Sequence, residues 1–150
     1  LYSTWKPCGV YTADCIPLAI LWKNSRVVAH VSWMNLEDWI VQNSVKNLCR
    51  QWEDVVDMYV YIGPSIRLYE VWEEFVTKFP WTVREESWIY FFDMVSYMKI
   101  LLDWLGIVDS NVKVHPDCTY TNSQKRFSWR KMREAWRNFM WVARLSSMSS

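Results

Sequence analysis

The sequence predicts a single domain of mixed α and β structure, in which helices alternate with the strands of a mixed sheet. Three observations predict it. The chain has 150 residues, 51% of them hydrophobic, enough to bury a sizeable core within one domain. Short apolar runs bounded by turn residues alternate with stretches whose apolar positions recur at helical spacing. No internal repeat and no long linker interrupts that alternation.

The elements follow in order. Residues 8–22 and 26–33 are nearly continuous apolar runs, the pattern of strands covered on both faces, and WKNSR between them carries the turn chemistry. Asn35 is placed to cap a helix over Leu36–Gln51, where Leu36, Trp39, Ile40, Val45, Leu48 and Trp52 share a face. MYVYIG (58–63) is a short strand closed by Gly63-Pro64. A short helix is expected from Tyr69 to Phe79, with Val71, Phe75, Val76 and Phe79 inward, stopped by Pro80. WIYFF (88–92) reads as a strand entering a helix over Asp93–Leu105, with Gly106 at the C′ position. VKVHP (112–116) is a further strand, DCTYTNSQKR a loop, and FMWVARL (139–145) the last strand. The polar tail 146–150 is expected to be disordered.

Composition excludes several functions. A formal net charge of +1 gives no global pull toward nucleic acid or an anionic membrane. No apolar run reaches the roughly 18 residues of a membrane span. The opening LYSTWKPCGV has no basic region ahead of an apolar stretch, so no signal peptide is expected. Cys8, Cys15, Cys49 and Cys118 are too sparse for a disulfide scaffold, and a reducing cytoplasmic setting is expected. Two counts are unusual: 12 tryptophans and only 3 glycines. Some indoles must therefore occupy positions that smaller residues fit more easily.

Cys15 and His30 are the first chemical candidates. A thiolate and an imidazole are good ligands for zinc, and a hairpin can bring residues this far apart together. Spacing alone favours a small buried cysteine and a core or strand-end histidine. The same pair could act as nucleophile and base, with Asp14 orienting the imidazole. His115 and Cys118 form an H-x-x-C spacing that could complete a site with them, or could be a loop histidine beside a buried cysteine. Ser65, after Gly63-Pro64, could present donors to a ligand or simply cap a turn. Lys125, Arg126, Arg130, Lys131, Arg133 and Arg137 form the basic cluster, interleaved with Trp129 and Trp136, and read most simply as a solvated face.

Four blocks stand in a fixed order: TADCIPL (12–18), VVAHVSW (27–33), YIGPSI with YEV (61–66, 69–71), and CTYTNSQKRFSWR (118–130). Together they resemble the YfiH family, also called the laccase-domain or multicopper polyphenol oxidase family. Ala13-Asp14-Cys15-Ile16-Pro17, Ala29-His30, Trp33, Gly63-Pro64-Ser65-Ile66, Glu70-Val71, Asp93, Cys118-Thr119, Phe127-Ser128 and Arg130 fall in its register, and Arg137 falls at its final arginine. The resemblance runs from about residue 9 to 145.

The resemblance implies a compact α+β domain, with mixed β-sheets flanked by helices. It also implies a mononuclear metal site, usually zinc and alternatively copper, held by two histidines and a cysteine. Cys15 and His30 would be two of those ligands and the catalytic residues. The third ligand would lie upstream of this chain, which then lacks the family's N-terminal part. The implied activity is metal-dependent phosphorolysis or deamination of purine nucleosides: adenosine, inosine or methylthioadenosine. Ser65, Arg130 and Arg137 are expected to contact the nucleoside and phosphate, with no membrane or nucleic acid as partner. The alternatives are copper-dependent polyphenol oxidation and a catalytically inactive interaction domain. Around His30 the family's glycines and arginine are replaced, giving His30-Val31-Ser32-Trp33-Met34-Asn35.

Overall fold

The computed structural model describes residues 2–3, 6–23, 25–50 and 54–143. The order is β1 (Tyr2–Ser3), β2 (Cys8–Thr12), β3 (Ile16–Leu21), β4 (Arg26–Val31), α1 (Trp33–Glu37), α2 (Ile40–Cys49) and β5 (Tyr59–Ile62). Then come β6 (Tyr69–Val71), α3 (Glu74–Lys78), β7 (Val83–Glu86), β8 (Ile89–Phe92), α4 (Met94–Trp104), β9 (Val112–Val114), α5 (Trp129–Met132) and β10 (Asn138–Val142).

The expected strands form three sheets rather than one. The largest runs β1-β4-β3-β5-β9, with β9 parallel to β5 and the other pairs antiparallel. Its central strand β3 contributes Ile16, Leu18, Ala19 and Ile20, all fully buried, which confirms the two-sided burial expected from its apolar run. A three-stranded sheet, β6-β8-β7, and a two-stranded ribbon, β10-β2, complete the architecture. Helix α4 buries Met94, Val95, Met98, Leu101 and Leu102 in the shared core, each contributing about 1.5–3 kcal/mol of hydrophobic stabilisation. Asp93 caps its start through the Ser96 amide, and Gly106 at φ 87 closes its end, as expected.

Several elements differ from the sequence reading, for one recurring reason. Residues 8–22 are not a single strand: the chain bends at Ala13-Asp14-Cys15, with Asp14 at φ 89, and β2 leaves for the ribbon with β10. The helix expected over Leu36–Gln51 is broken in two by Trp39 at φ 61, and residues 51–53 lie outside the described residues. Its cap is Ser32, with Asn35 at the third helical position closing the reciprocal capping box. Tyr69–Val71 is a strand, and only Glu74–Lys78 is helical. Phe75 and Phe79 are buried as expected, but Val76 is exposed. Strand β7 and helix α5 were not foreseen. The final strand is Asn138–Val142, and the tail 146–150 lies outside the described residues.

The β7–β8 hairpin explains why β7 was invisible. Its two-residue turn, Ser87-Trp88, has φ 52 and φ 66, with Glu86 paired to Ile89. That geometry normally selects Asn-Gly. Trp81 is also left-handed, at φ 66. An L-residue in this region costs roughly 1–2 kcal/mol that glycine avoids. Trp88 is 89% exposed, so its indole offsets little of that cost. Trp88→Gly is therefore expected to raise unfolding stability by about 1 kcal/mol, read as a higher urea midpoint at unchanged m-value.

Candidate functional site

The bend between β2 and β3 builds one wall of a cavity of about 160 Å³, through Ala13, Asp14 and Cys15. Trp33 enters from the start of α1, Ile66 from the loop after β5 and Tyr69 from β6. Met94 comes from α4, and Trp129 and Arg130 from α5. The lining is mostly apolar and aromatic, with a thiol, a carboxylate and a guanidinium converging on it.

Asp14 ties these segments together. It is 6% exposed, and both carboxylate oxygens are used: the Thr119 hydroxyl donates to Oδ1 at 2.7 Å and the Arg130 backbone N–H to Oδ2 at 2.7 Å. Its carbonyl accepts the Ile66 N–H at 2.9 Å. One residue thus joins the bend to the β5–β6 loop, the loop at Thr119 and α5. With both oxygens so engaged, it is not the residue that orients His30 in the nucleophile–base reading. Buried carboxylates survive where such bonds replace water.

Arg130 lies with its guanidinium 4.4 Å from the centre of the Tyr69 ring and donates from Nη1 to the Glu70 carbonyl at 3.4 Å. Burial pushes the Tyr69 phenol far above its usual range, so it is a neutral hydroxyl at any working pH.

Cys15 lines the cavity. Burial pushes its thiol up, and the neighbouring Asp14 charge adds to this; Arg130 and Arg137 oppose it. At neutral pH the sulfur is a protonated thiol, not the lowered-pKa thiolate that nucleophilic catalysis uses. His30 sits opposite Pro17 in the β3–β4 register, in an exposed position, and does not line the cavity. Partial desolvation and the Arg137 charge hold His30 below the usual imidazole value, so it is neutral at pH 7. Arg137 therefore acts electrostatically on both residues. Its guanidinium does not line the cavity: Nη1 donates to the Glu134 and Trp136 carbonyls at 3.2 and 2.9 Å, and it stacks 5.5 Å from Trp129.

Ser65 is fully buried and also stands behind the wall; its neighbour Ile66 reaches the cavity. The Ser65 carbonyl accepts the Thr119 N–H at 3.1 Å, which locks the two loops. Trp33, Tyr69, Met94 and Trp129 were not singled out as site residues, because an aromatic at helical or strand spacing reads first as core.

His115 and Cys118 do not complete a metal site with Cys15 and His30. His115 Nδ1 accepts the Asp117 N–H at 3.1 Å, and its Nε2 faces Arg126 Nη2 at 3.4 Å. Burial raises the Cys118 thiol, but hydrogen bonds from Thr121, Arg67 and Tyr120 more than offset it, leaving it below the usual value. Among the described residues no three His, Cys, Asp or Glu side chains are grouped to hold a metal. Cys15 and His30 supply two donors of a suitable type, and a catalytic zinc takes three from protein. The described residues thus supply two of the three protein donors that such a metal takes, and no complete set.

Residues 3–144 match the family model described as multi-copper polyphenol oxidoreductase laccase. A purine nucleoside phosphorylase of Clostridium acetobutylicum is 29% identical over 131 residues, covering 82% of this chain and 56% of that one. Adenosine deaminase RL5 from an unknown prokaryotic organism is 35% identical over 75 residues, 47% of this chain and 29% of that one. The crystal structure of YlmD from Geobacillus stearothermophilus superposes with a TM-score of 0.89 at 23% identity, over 97% of this chain and 60% of that one. The chain spans about half the length of the curated phosphorylases it matches. YlmD shows that the α+β fold is shared. No helix of the described residues is long and apolar enough to cross a membrane.

Proposed function

Because this chain belongs to the multi-copper polyphenol oxidoreductase laccase family, matched over residues 3–144, we propose that it acts on purine nucleosides at the cavity beside Cys15 and Arg130. The observation that carries this reading is the lining itself. Trp33, Tyr69 and Trp129 offer aromatic surface to a planar base, and Arg130 offers a permanent cation at the same wall. The names of the curated relatives, phosphorylase and deaminase, support the same substrate class.

Phosphorolysis asks the protein to hold a nucleoside and a phosphate in line. A phosphate oxygen bonds to the ribose C1′, the glycosidic C–N bond breaks, and its electron pair leaves with the base, which takes a proton. Here the aromatic wall holds the base, and Arg130 meets the anion. Asp14 fixes Arg130 through its backbone. Cys15 and His30 are proposed as two ligands of zinc, or alternatively copper, the third donor coming from outside the described residues. The neutral imidazole of His30 suits ligation directly, whereas Cys15 must lose its proton to bind a cation.

Polyphenol oxidation is carried only by the description of the family model. Several copper centres need many imidazoles, and the chain has 2 histidines. The test is a product analysis. With adenosine, inosine or methylthioadenosine plus phosphate, free base and ribose 1-phosphate are expected, and none without phosphate. Inosine formed from adenosine without phosphate assigns deamination instead. No product from the metal-loaded protein overturns the nucleoside reading and leaves the inactive-domain reading. Oxygen uptake with a phenol would favour the oxidase.

A further inference from the structure

Arg130 stands between two chambers. Ile66, Tyr69 and Arg130 line both the cavity beside Cys15 and a second one of about 280 Å³. The second is also bounded by Glu70, Phe91, Tyr120 and Arg133. Arg133 follows α5 in the left-handed region, at φ 54, a conformation that glycine adopts without cost. Neither Arg130 nor Arg133 takes part in an ion pair among the described residues. Lys131 adds a third cation at the rim, 5.4 Å from the Tyr120 ring and donating to the Tyr120 carbonyl at 3.2 Å. Against them stands one acid, Glu70, in an exposed position on β6. Two guanidiniums and one carboxylate leave the wall with a net positive charge.

We propose that this second chamber is a phosphate subsite, with the anion held between the guanidiniums of Arg130 and Arg133. Guanidinium is the side chain best matched to paired phosphate oxygens. The basic cluster read from the sequence as a solvated face thus has a concave, unpaired part. Arg137, expected to contact phosphate, does not line this chamber, and its Nη1 is bonded to the Glu134 and Trp136 carbonyls. Arg133 takes that place. The anion is either free orthophosphate or a phosphate carried on the nucleoside. The proposal rests on the nucleoside reading only for what else the ligand carries; the anion subsite is tested without turnover.

Arg133→Gly removes the guanidinium while relieving the positive φ, so the variant keeps its fold. Titration calorimetry with sodium phosphate is expected to show binding to the full chain that weakens about tenfold or more in Arg133→Gly. Arg133→Lys recovers part of it, and added salt weakens it. Adenosine and adenosine 5′-monophosphate distinguish the sources. If phosphate and adenosine bind together, the subsite serves free phosphate. If the monophosphate displaces phosphate and outbinds adenosine by a factor that Arg133→Gly abolishes, it serves a phosphate on the substrate. Phosphate binding without nucleoside turnover sinks the functional reading and leaves the subsite standing. If neither phosphate nor the monophosphate binds better than adenosine, or if Arg133→Gly binds them unchanged, the subsite is overturned.

Discussion

Asp14→Ala is expected to destabilise the protein by about 3 kcal/mol. The carboxylate is buried and accepts from both the Thr119 hydroxyl and the Arg130 backbone N–H at 2.7 Å. Removing it strands both donors, each costing about 1–3 kcal/mol when left buried and unpaired. Alanine also fits poorly at φ 89. Asp14→Asn separates these effects. Asparagine tolerates the left-handed backbone but presents an amide N–H where one of the two donors needs an acceptor, so a loss of about 1–2 kcal/mol is expected. Urea denaturation reads both. Because Asp14 anchors the start of α5, the Asn variant should also bind phosphate more weakly through a displaced Arg130, a change that stability alone does not explain. An Asn variant as stable as the parent would show that the carboxylate is not the tether.

The second large effect is functional. Cys15→Ala is expected to lower nucleoside turnover about a hundredfold or more, since even residues that merely orient a metal ligand cost 10–100-fold. Bound zinc, measured by elemental analysis, should fall with it. Stability should change by less than about 1 kcal/mol, because the half-buried thiol is a small group. Thiol chemistry gives an independent check. Burial and Asp14 hold the Cys15 thiol up, so iodoacetamide should label it slowly at pH 7 and faster as the pH rises toward that raised value. Cys118, held below the usual thiol value, should label ahead of Cys15. Intact activity in Cys15→Ala would remove that residue from the mechanism.

The central strands and α4 were legible because their signals are local and conventional. Continuous apolar runs mark β3 and β4, and the period of α4 ends on a true C′ glycine. What was missed lies where those signals are disguised. Trp39, Trp81 and Trp88 occupy left-handed positions that glycine or asparagine usually announces, so a broken helix read as continuous and a hairpin went unseen. The split of residues 8–22 hides in Asp14, whose positive φ is maintained by bonds to residues more than a hundred positions away. Such long-range pairing leaves no periodicity to read. The site was half legible for a similar reason. Cys15 and Arg130 stood out by chemical type, whereas Trp33, Tyr69 and Trp129 became a wall only once three separate elements met.

The exposed indoles also set how this protein can be watched. Trp39, Trp72, Trp81, Trp88, Trp104, Trp136 and Trp141 are each at least 60% exposed. Their emission is already that of indole in water, so unfolding shifts the summed fluorescence little. A melting curve followed by tryptophan emission would look shallow for a cooperatively folded domain, and backbone circular dichroism is the better monitor. Against that constant background, half-buried Trp33 on the cavity wall is one of the few indoles whose light can change. Quenching by a purine would therefore report occupancy of the cavity rather than the state of the fold.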